Sequence, residues 1–155
     1  MLESMCGEDI EFHLSIQDSD WQCFIDPTHF EQLLMNLVVN AVHAMPNGGR
    51  ITITAAPEER TQPGSRIEVR DNGPGMPEEV KRRAFDPFFT TKPPEQGTGL
   101  GLATVKALVE ATGGDVSIRT SIGEGTRVVL WCPLVGEDRE KPSDVETLAA
   151  APAVS

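Results

Sequence analysis

The stretch "RIEVRDNGPGM" (Arg66–Met76) changes character at a single residue. Up to Val69 it alternates apolar and polar side chains, as a half-buried strand does. At Asp71 it runs straight into Asn72-Gly73-Pro74-Gly75, where almost no side chain covers the backbone. A strand-end carboxylate with bare backbone beside it can accept a hydrogen bond from an exocyclic amine while a flat ring lies against the glycines; an ordinary Asx turn is the plainer reading. Upstream, "RITITA" (Arg50–Ala55) alternates in the same way, and a Pro/Gly/Glu-rich turn joins it to the first strand. Further out, "IEFHLSI" (Ile10–Ile16) and "WQCFI" (Trp21–Ile25) read as strands, as do "DVSIRT" (Asp115–Thr120) and "TRVVLWCPL" (Thr126–Leu134) around a Ser121–Gly125 turn.

Between these lie the helices. Asp26-Pro27 reads as an N-cap followed by proline at the first helical position. Phe30, Leu33, Leu34, Leu37, Val38, Ala41 and Met45 then recur at helical spacing until Asn47-Gly48-Gly49. A short helix starts near Pro77, and "LATVKALVEATGG" (Leu102–Gly114) forms another directly on the glycine cluster "GTGLGL" (Gly97–Leu102). Links between consecutive strands are short enough for antiparallel hairpins. The expectation is an α+β, two-layer α/β sandwich: a mixed, mainly antiparallel sheet covered on one face by helices. A doubly wound parallel sheet needs a regular strand–helix alternation that is absent.

The 155 residues suit one domain, taken as residues 1–135, followed by an acidic and then Ala/Pro/Ser-rich tail, 136–155, expected to be disordered. With 24 acids against 13 bases the formal charge is −11, which argues against a nucleic-acid partner. It leaves room for a phosphate ligand held by backbone N–H groups. Cys6, Cys23 and Cys132 are odd in number and lack metal-ligand spacing, so three free thiols in a reducing cytoplasm are expected. No apolar run is long enough to span a membrane, and Met1–Asp9 has no signal core. A cytoplasmic location is expected, compatible with a membrane anchor elsewhere in a longer parent.

"GTGLGL" is neither the dinucleotide fingerprint, whose third glycine would fall at Leu102, nor a P-loop, for which no G-x-x-x-x-G-K-[ST] exists. It still opens a helix, and N–H groups at Gly99, Leu100 and Gly101 would face an anion at the positive end of the helix dipole. On the first helix Asn36, Asn40 and His43 fall within a stripe roughly 60° wide at about 100° per residue, bordering the apolar face. An amide oxygen is a suitable hard ligand for Mg²⁺. Taken alone, the asparagines could equally face water.

Taken together, the residues carry a resemblance. "NLVVNAVHAM", "DNGPGM", "FDPFFTTK" and "GTGLGL" resemble, in order, the N, G1, F and G2 boxes of sensor histidine kinases, and the match covers about Asp26 to Leu134. The resemblance implies the Bergerat ATP-binding fold, shared with gyrase, the Hsp90 chaperone and the MutL repair protein. It implies ATP and Mg²⁺ as cofactors. Asp71 then matches the acceptor of the adenine amine, Gly73 and Gly75 the glycines under the ring with Met76 beside them, and Asn40 the Mg²⁺ ligand with Asn36 next to it. His43 falls near the phosphates. Thr90, Thr91 and Lys92 fall in the ATP lid, a segment 88–97 expected to order on nucleotide binding. Gly97, Thr98, Gly99, Leu100, Gly101 and Leu102 match the phosphate-side loop, and Thr126 the position hydrogen-bonding near Asp71. Asn36, Asn40, His43 and Lys92 are the residues expected to serve catalysis. Phe85, Phe88 and Phe89 are expected mostly to pack the loop.

A histidine kinase also needs a phosphoacceptor histidine, and none of His13, His29 and His43 sits in "H-[DE]-x-x-[NT]-P". The implied partners are therefore a dimerisation and phosphoacceptor helical domain upstream in a homodimeric parent, and a response regulator or receiver domain. The isolated chain is expected to be a monomer. Rival readings are a gyrase- or chaperone-type ATPase, an anti-sigma-factor serine kinase, and a degenerate nucleotide- or partner-binding domain. The first two rivals carry a glutamate four residues before the Mg²⁺ asparagine, where this chain has Asn36.

Overall fold

The computed structural model describes residues 9–17, 25–91 and 99–134. Five strands form one sheet: β1 (Ile10–Ile16), β2 (Gly49–Pro57), β3 (Gly64–Asp71), β4 (Asp115–Thr120) and β5 (Thr126–Pro133), in the spatial order β1-β2-β3-β5-β4. The helices are α1 (Pro27–Ala44), α2 (Glu78–Arg83) and α3 (Gly101–Ala111). The α+β expectation holds. Three of the four ladders are antiparallel, and β1 pairs with β2 in parallel. A parallel neighbour needs a crossover, and α1 supplies it, so Ile10–Ile16 pairs with β2 through a β-α-β unit. The expected strand Trp21–Ile25, apart from Ile25, and the tail 136–155 lie outside the described residues.

Helix α1 begins where the sequence placed it. Asp26 Oδ1 accepts from the backbone N–H groups of Thr28 at 2.8 Å and His29 at 3.4 Å, and Pro27 fills the first helical position. Loss of an N-cap of this kind costs about 1 kcal/mol. Asp26→Ala should lower the unfolding free energy by about that amount, read as a lower urea midpoint at an unchanged m-value; an unchanged midpoint would show that packing alone sets the start of α1.

The core lies between the helices and one face of the sheet. Leu33, Leu37, Val38 and Ala41 of α1 and Val105 and Val109 of α3 bury against Ile51, Ile53, Ile67, Val69, Ile118, Val128 and Leu130. Each side chain of this size buried from water contributes about 1.5–3 kcal/mol. The aliphatic core matches the low aromatic content. Trp131 projects from the other face of β5 and is roofed by the β2–β3 turn: Arg60 stacks 4.9 Å from its ring centre and its Nε1 donates to the Glu58 carbonyl at 2.9 Å. No described helix is long and apolar enough to cross a membrane.

Candidate functional site

The sheet twist and the α1–α3 pair leave a cavity of about 500 Å³ between the ends of β3 and β5, α1 and the start of α3. That volume suits a ligand the size of a nucleotide. Of the residues singled out in the sequence, Asn36, Asn40, His43, Asp71, Gly75, Met76, Thr90, Thr91, Gly99, Gly101, Leu102 and Thr126 line it. Gly73 stands behind Asp71, and Leu100 caps α3 without lining the cavity. Lys92, Gly97 and Thr98 lie outside the described residues.

Asp71 is the last residue of β3 and shares the face of Ile67 and Val69, so the strand's alternation drives its carboxylate under the helices, where it is buried. Its Oδ1 accepts from the Gly73 N–H at 2.9 Å and from the Thr126 N–H at 3.3 Å. Thr126 thus meets Asp71 through its backbone; its hydroxyl lies 3.0 Å from that of Thr120. Burial pushes the Asp71 carboxyl above its ordinary range, and the two N–H bonds pull it partway back. Among the described residues no cation pairs with it. A buried acceptor of this kind suits a neutral donor such as an aromatic amine, because a partly satisfied carboxylate gains most from an additional hydrogen bond.

The floor beside Asp71 is held by a residue the sequence reading missed. Thr120 Oγ1 accepts from the Met76 N–H at 2.9 Å and donates to the Gly125 carbonyl at 2.9 Å, tying the 73–76 loop to the β4–β5 turn. The Gly123 N–H donates to the Pro74 carbonyl at 2.7 Å across the same seam. Only the position of Thr120 at a strand end, five residues before Gly125, hinted at this. The apolar walls were also missed: Val39 and Ala44 of α1, Val80 of α2 with Ala84 just after it, and Val128. They are the slots a flat ring needs.

At the other end, α3 starts at Gly101, and its cap residue Leu100 offers the first turn no side-chain hydrogen bond. Asn40 lies against that start, its amide 3.6 and 3.8 Å from where a Gly101 Cβ would be. Asn36 is used differently: its Nδ2 donates to the Gly101 carbonyl at 3.4 Å, joining α1 to α3. Of the aromatic cluster, Phe85 packs on the core and Phe89 lines the cavity. Phe88 does not pack: it is 76% exposed, holds φ at +65°, and its N–H donates to the Gly99 carbonyl at 2.9 Å, drawing together the two ends of the segment between them.

A ring slot with a buried acceptor at one end and an uncapped helix start at the other is the architecture of an ATP-binding domain. The family model of histidine kinase-, DNA gyrase B-, and HSP90-like ATPases matches residues 25–136, and the chain belongs to that family. Among relatives, it is 36% identical to the sensor kinase CckA of Brucella abortus (strain 2308) over 162 residues, covering 97% of this chain and 17% of CckA. It superposes on the nucleotide-free catalytic domain of histidine kinase ThkA with a TM-score of 0.74 and 35% identity, covering 88% of this chain and 87% of that domain. Full-length ShkA in complex with AMPPNP matches at TM-score 0.68 and 29% identity, over 87% of this chain and 27% of ShkA. ThkA in complex with the response regulator TrrA matches at TM-score 0.69 and 30% identity, over 88% of this chain and 38% of that one. The chain therefore has the fold of a histidine kinase catalytic domain and spans less than a third of the curated kinases it matches.

Proposed function

We propose that the chain is the phosphoryl-donating half of a sensor histidine kinase. It binds Mg·ATP and presents the terminal phosphoryl group to a histidine on a separate dimerisation and phosphoacceptor domain, from which a response regulator receives it. The observation that carries this reading is the buried Asp71 carboxylate, with both described hydrogen bonds on Oδ1, at the ring end of a cavity whose other end is the uncapped start of α3. Asp71 accepts from the adenine amine, the loop from Gly73 to Met76 supports the ring, and the first N–H groups of α3 meet the phosphates.

The donor set fits magnesium as a guest of the triphosphate. No group of three or more His, Cys, Asp or Glu that could hold a metal alone occurs among the described residues. Mg²⁺ is commonly bound by one or two protein oxygens plus phosphates, and the Asn40 amide oxygen beside Gly101 is the candidate. When bound, the ion neutralises charge building on the phosphates. His43 stands on the same wall, and Thr90, Thr91 and Lys92 would close over the phosphates. In this reading positioning and exclusion of water do the work. The parent is a homodimer through its phosphoacceptor helices, and the isolated chain is a cytoplasmic monomer.

The gyrase-type alternative needs a carboxylate base at position 36. Asn36 cannot take a proton, and its amide is engaged by the Gly101 carbonyl. General-base help is commonly worth about 10²–10⁴-fold, so hydrolysis by this chain should be slow. With γ-labelled ATP, the chain alone should acquire no label, and a phosphoacceptor hairpin from a homologous kinase added in trans should acquire acid-labile phosphohistidine. Acid-stable label on serine, or brisk phosphate release by the chain alone, would overturn the kinase reading.

A further inference from the structure

The face of the sheet away from the helices carries a feature that nucleotide binding does not use. Strand register places Arg70 of β3 opposite Arg127 of β5, and Arg127 opposite Arg119 of β4. Three arginines thus stand in one row across adjacent strands, about 5 Å apart at their backbones. Like charges directly opposite one another destabilise a sheet. Glu68 relieves one of them, with its Oε1 3.0 Å from Arg127 Nε, while its Oε2 is 2.6 Å from Arg66. Neither Arg70 nor Arg119 has a described carboxylate within ion-pair distance, and neither has Lys81 of α2, which joins them. Elsewhere on this face the charges are matched: Arg60 pairs with Glu58 and Asp115, and Arg50 with Glu11.

Arg70, Lys81 and Arg119 line a recess of about 610 Å³ together with Arg127, which is paired to Glu68, and Glu124, whose carboxylate accepts from the Ser121 hydroxyl. Ile122, in the turn that forms its rim, is 74% exposed. An overall charge of −11 makes a local concentration of unpaired cations on this face the more specific.

We propose that this recess is a docking site for an acidic protein segment presenting two or more carboxylates next to an apolar residue. Arginine forks take carboxylates bidentately, and an incoming pair would relieve the repulsion along the row. Ile122 gives the apolar neighbour a contact that a bare anion would not use. A nucleic acid is disfavoured, because its phosphate array extends well beyond four cations onto a strongly negative surface. Among the described residues, the linings of the recess and of the nucleotide cavity share Thr126.

The probe is a fluorescein-labelled peptide, Glu-Glu-Leu-Glu-Glu-Leu-Glu-Glu, titrated by anisotropy with the full chain. Saturable binding is expected at low salt, weakening on the order of tenfold by physiological ionic strength. The double variant Arg70→Glu/Arg119→Glu should weaken it at least about tenfold and Ile122→Ser by about threefold, with Mg·ATP affinity held within about twofold. Absence of saturable binding, or binding that survives the charge reversal, overturns the site. Sodium phosphate or phosphatidylserine vesicles binding more tightly than the peptide, with the same arginine dependence, overturns the protein partner. A severalfold gain in peptide affinity when Glu137, Asp138 and Glu140 are made amides gives the recess to the chain's own tail and overturns an external partner.

Discussion

Asp71→Ala should weaken Mg·ATP binding on the order of a hundredfold or more by calorimetry, because the substitution strands several donors at once. In the proposed binding mode the adenine amine loses its acceptor, and the Gly73 and Thr126 N–H groups lose theirs in a buried place. Retention of affinity would show that the ring does not lie against β3. Asp71→Asn separates binding from folding. An amide oxygen still serves the two N–H groups, so the variant should be more stable than the wild type at neutral pH while binding nucleotide less well. The sign follows from the direction of the pKa shift. Burial raises the folded value above the ordinary 3.8, so the folded state holds this proton more tightly than the unfolded chain. The associated stability is complete below the ordinary value and is lost as pH rises through the raised one. The Tm advantage of Asp71→Asn should therefore shrink as pH falls towards 4 and below; a gap independent of pH would mean that the carboxylate is not strained by burial.

Gly75→Ala should cost about 3 kcal/mol in a urea titration, from two sources that a companion variant can separate. Gly75 has φ +72°, and a Cβ there would collide with the Ser121 carbonyl and stand 3.1 Å from that of Gly125. Gly123 has a similar φ, +84°, with nothing within 4 Å of its Cβ position. Gly123→Ala carries only the left-handed backbone penalty, about 1–2 kcal/mol. Equal losses in the two variants would show that the contact between the 73–76 loop and the β4–β5 turn is loose.

Local signals in the sequence were reliable where a single segment decides the outcome. The alternation in Arg66–Asp71 gave the strand and the inward face of its last carboxylate, and Asp26-Pro27 gave the start of α1. What depends on pairing between distant segments was not legible. Nothing in "IEFHLSI" says that its neighbour is Gly49–Pro57 running in the same direction, because hydrophobic period reports which face is buried and not which strand lies alongside. The same limit hid the insertion of β5 between β3 and β4, and with it both the Thr120 seam and the arginine row. Asn36 illustrates the limit within a site: its spacing placed it on the cavity wall, but its attachment to the Gly101 carbonyl depends on where α3 lands.

That insertion also sets a timetable. The Asp71 acceptor is completed by Thr126, 55 residues further along the chain, and the β3–β5 ladder reaches from Gly64 to Pro133. Contacts of such separation form late, since a long loop must close before they return any stability. During synthesis the β1-α1-β2-β3 portion emerges with one edge of β3 unpaired, and the nucleotide pocket cannot exist until β5 has left the ribosome and slid into that edge. Nucleotide binding would then reward only the finished chain, and a nascent or truncated product that stops short of Thr126 would remain both empty and exposed at a hydrophobic strand edge.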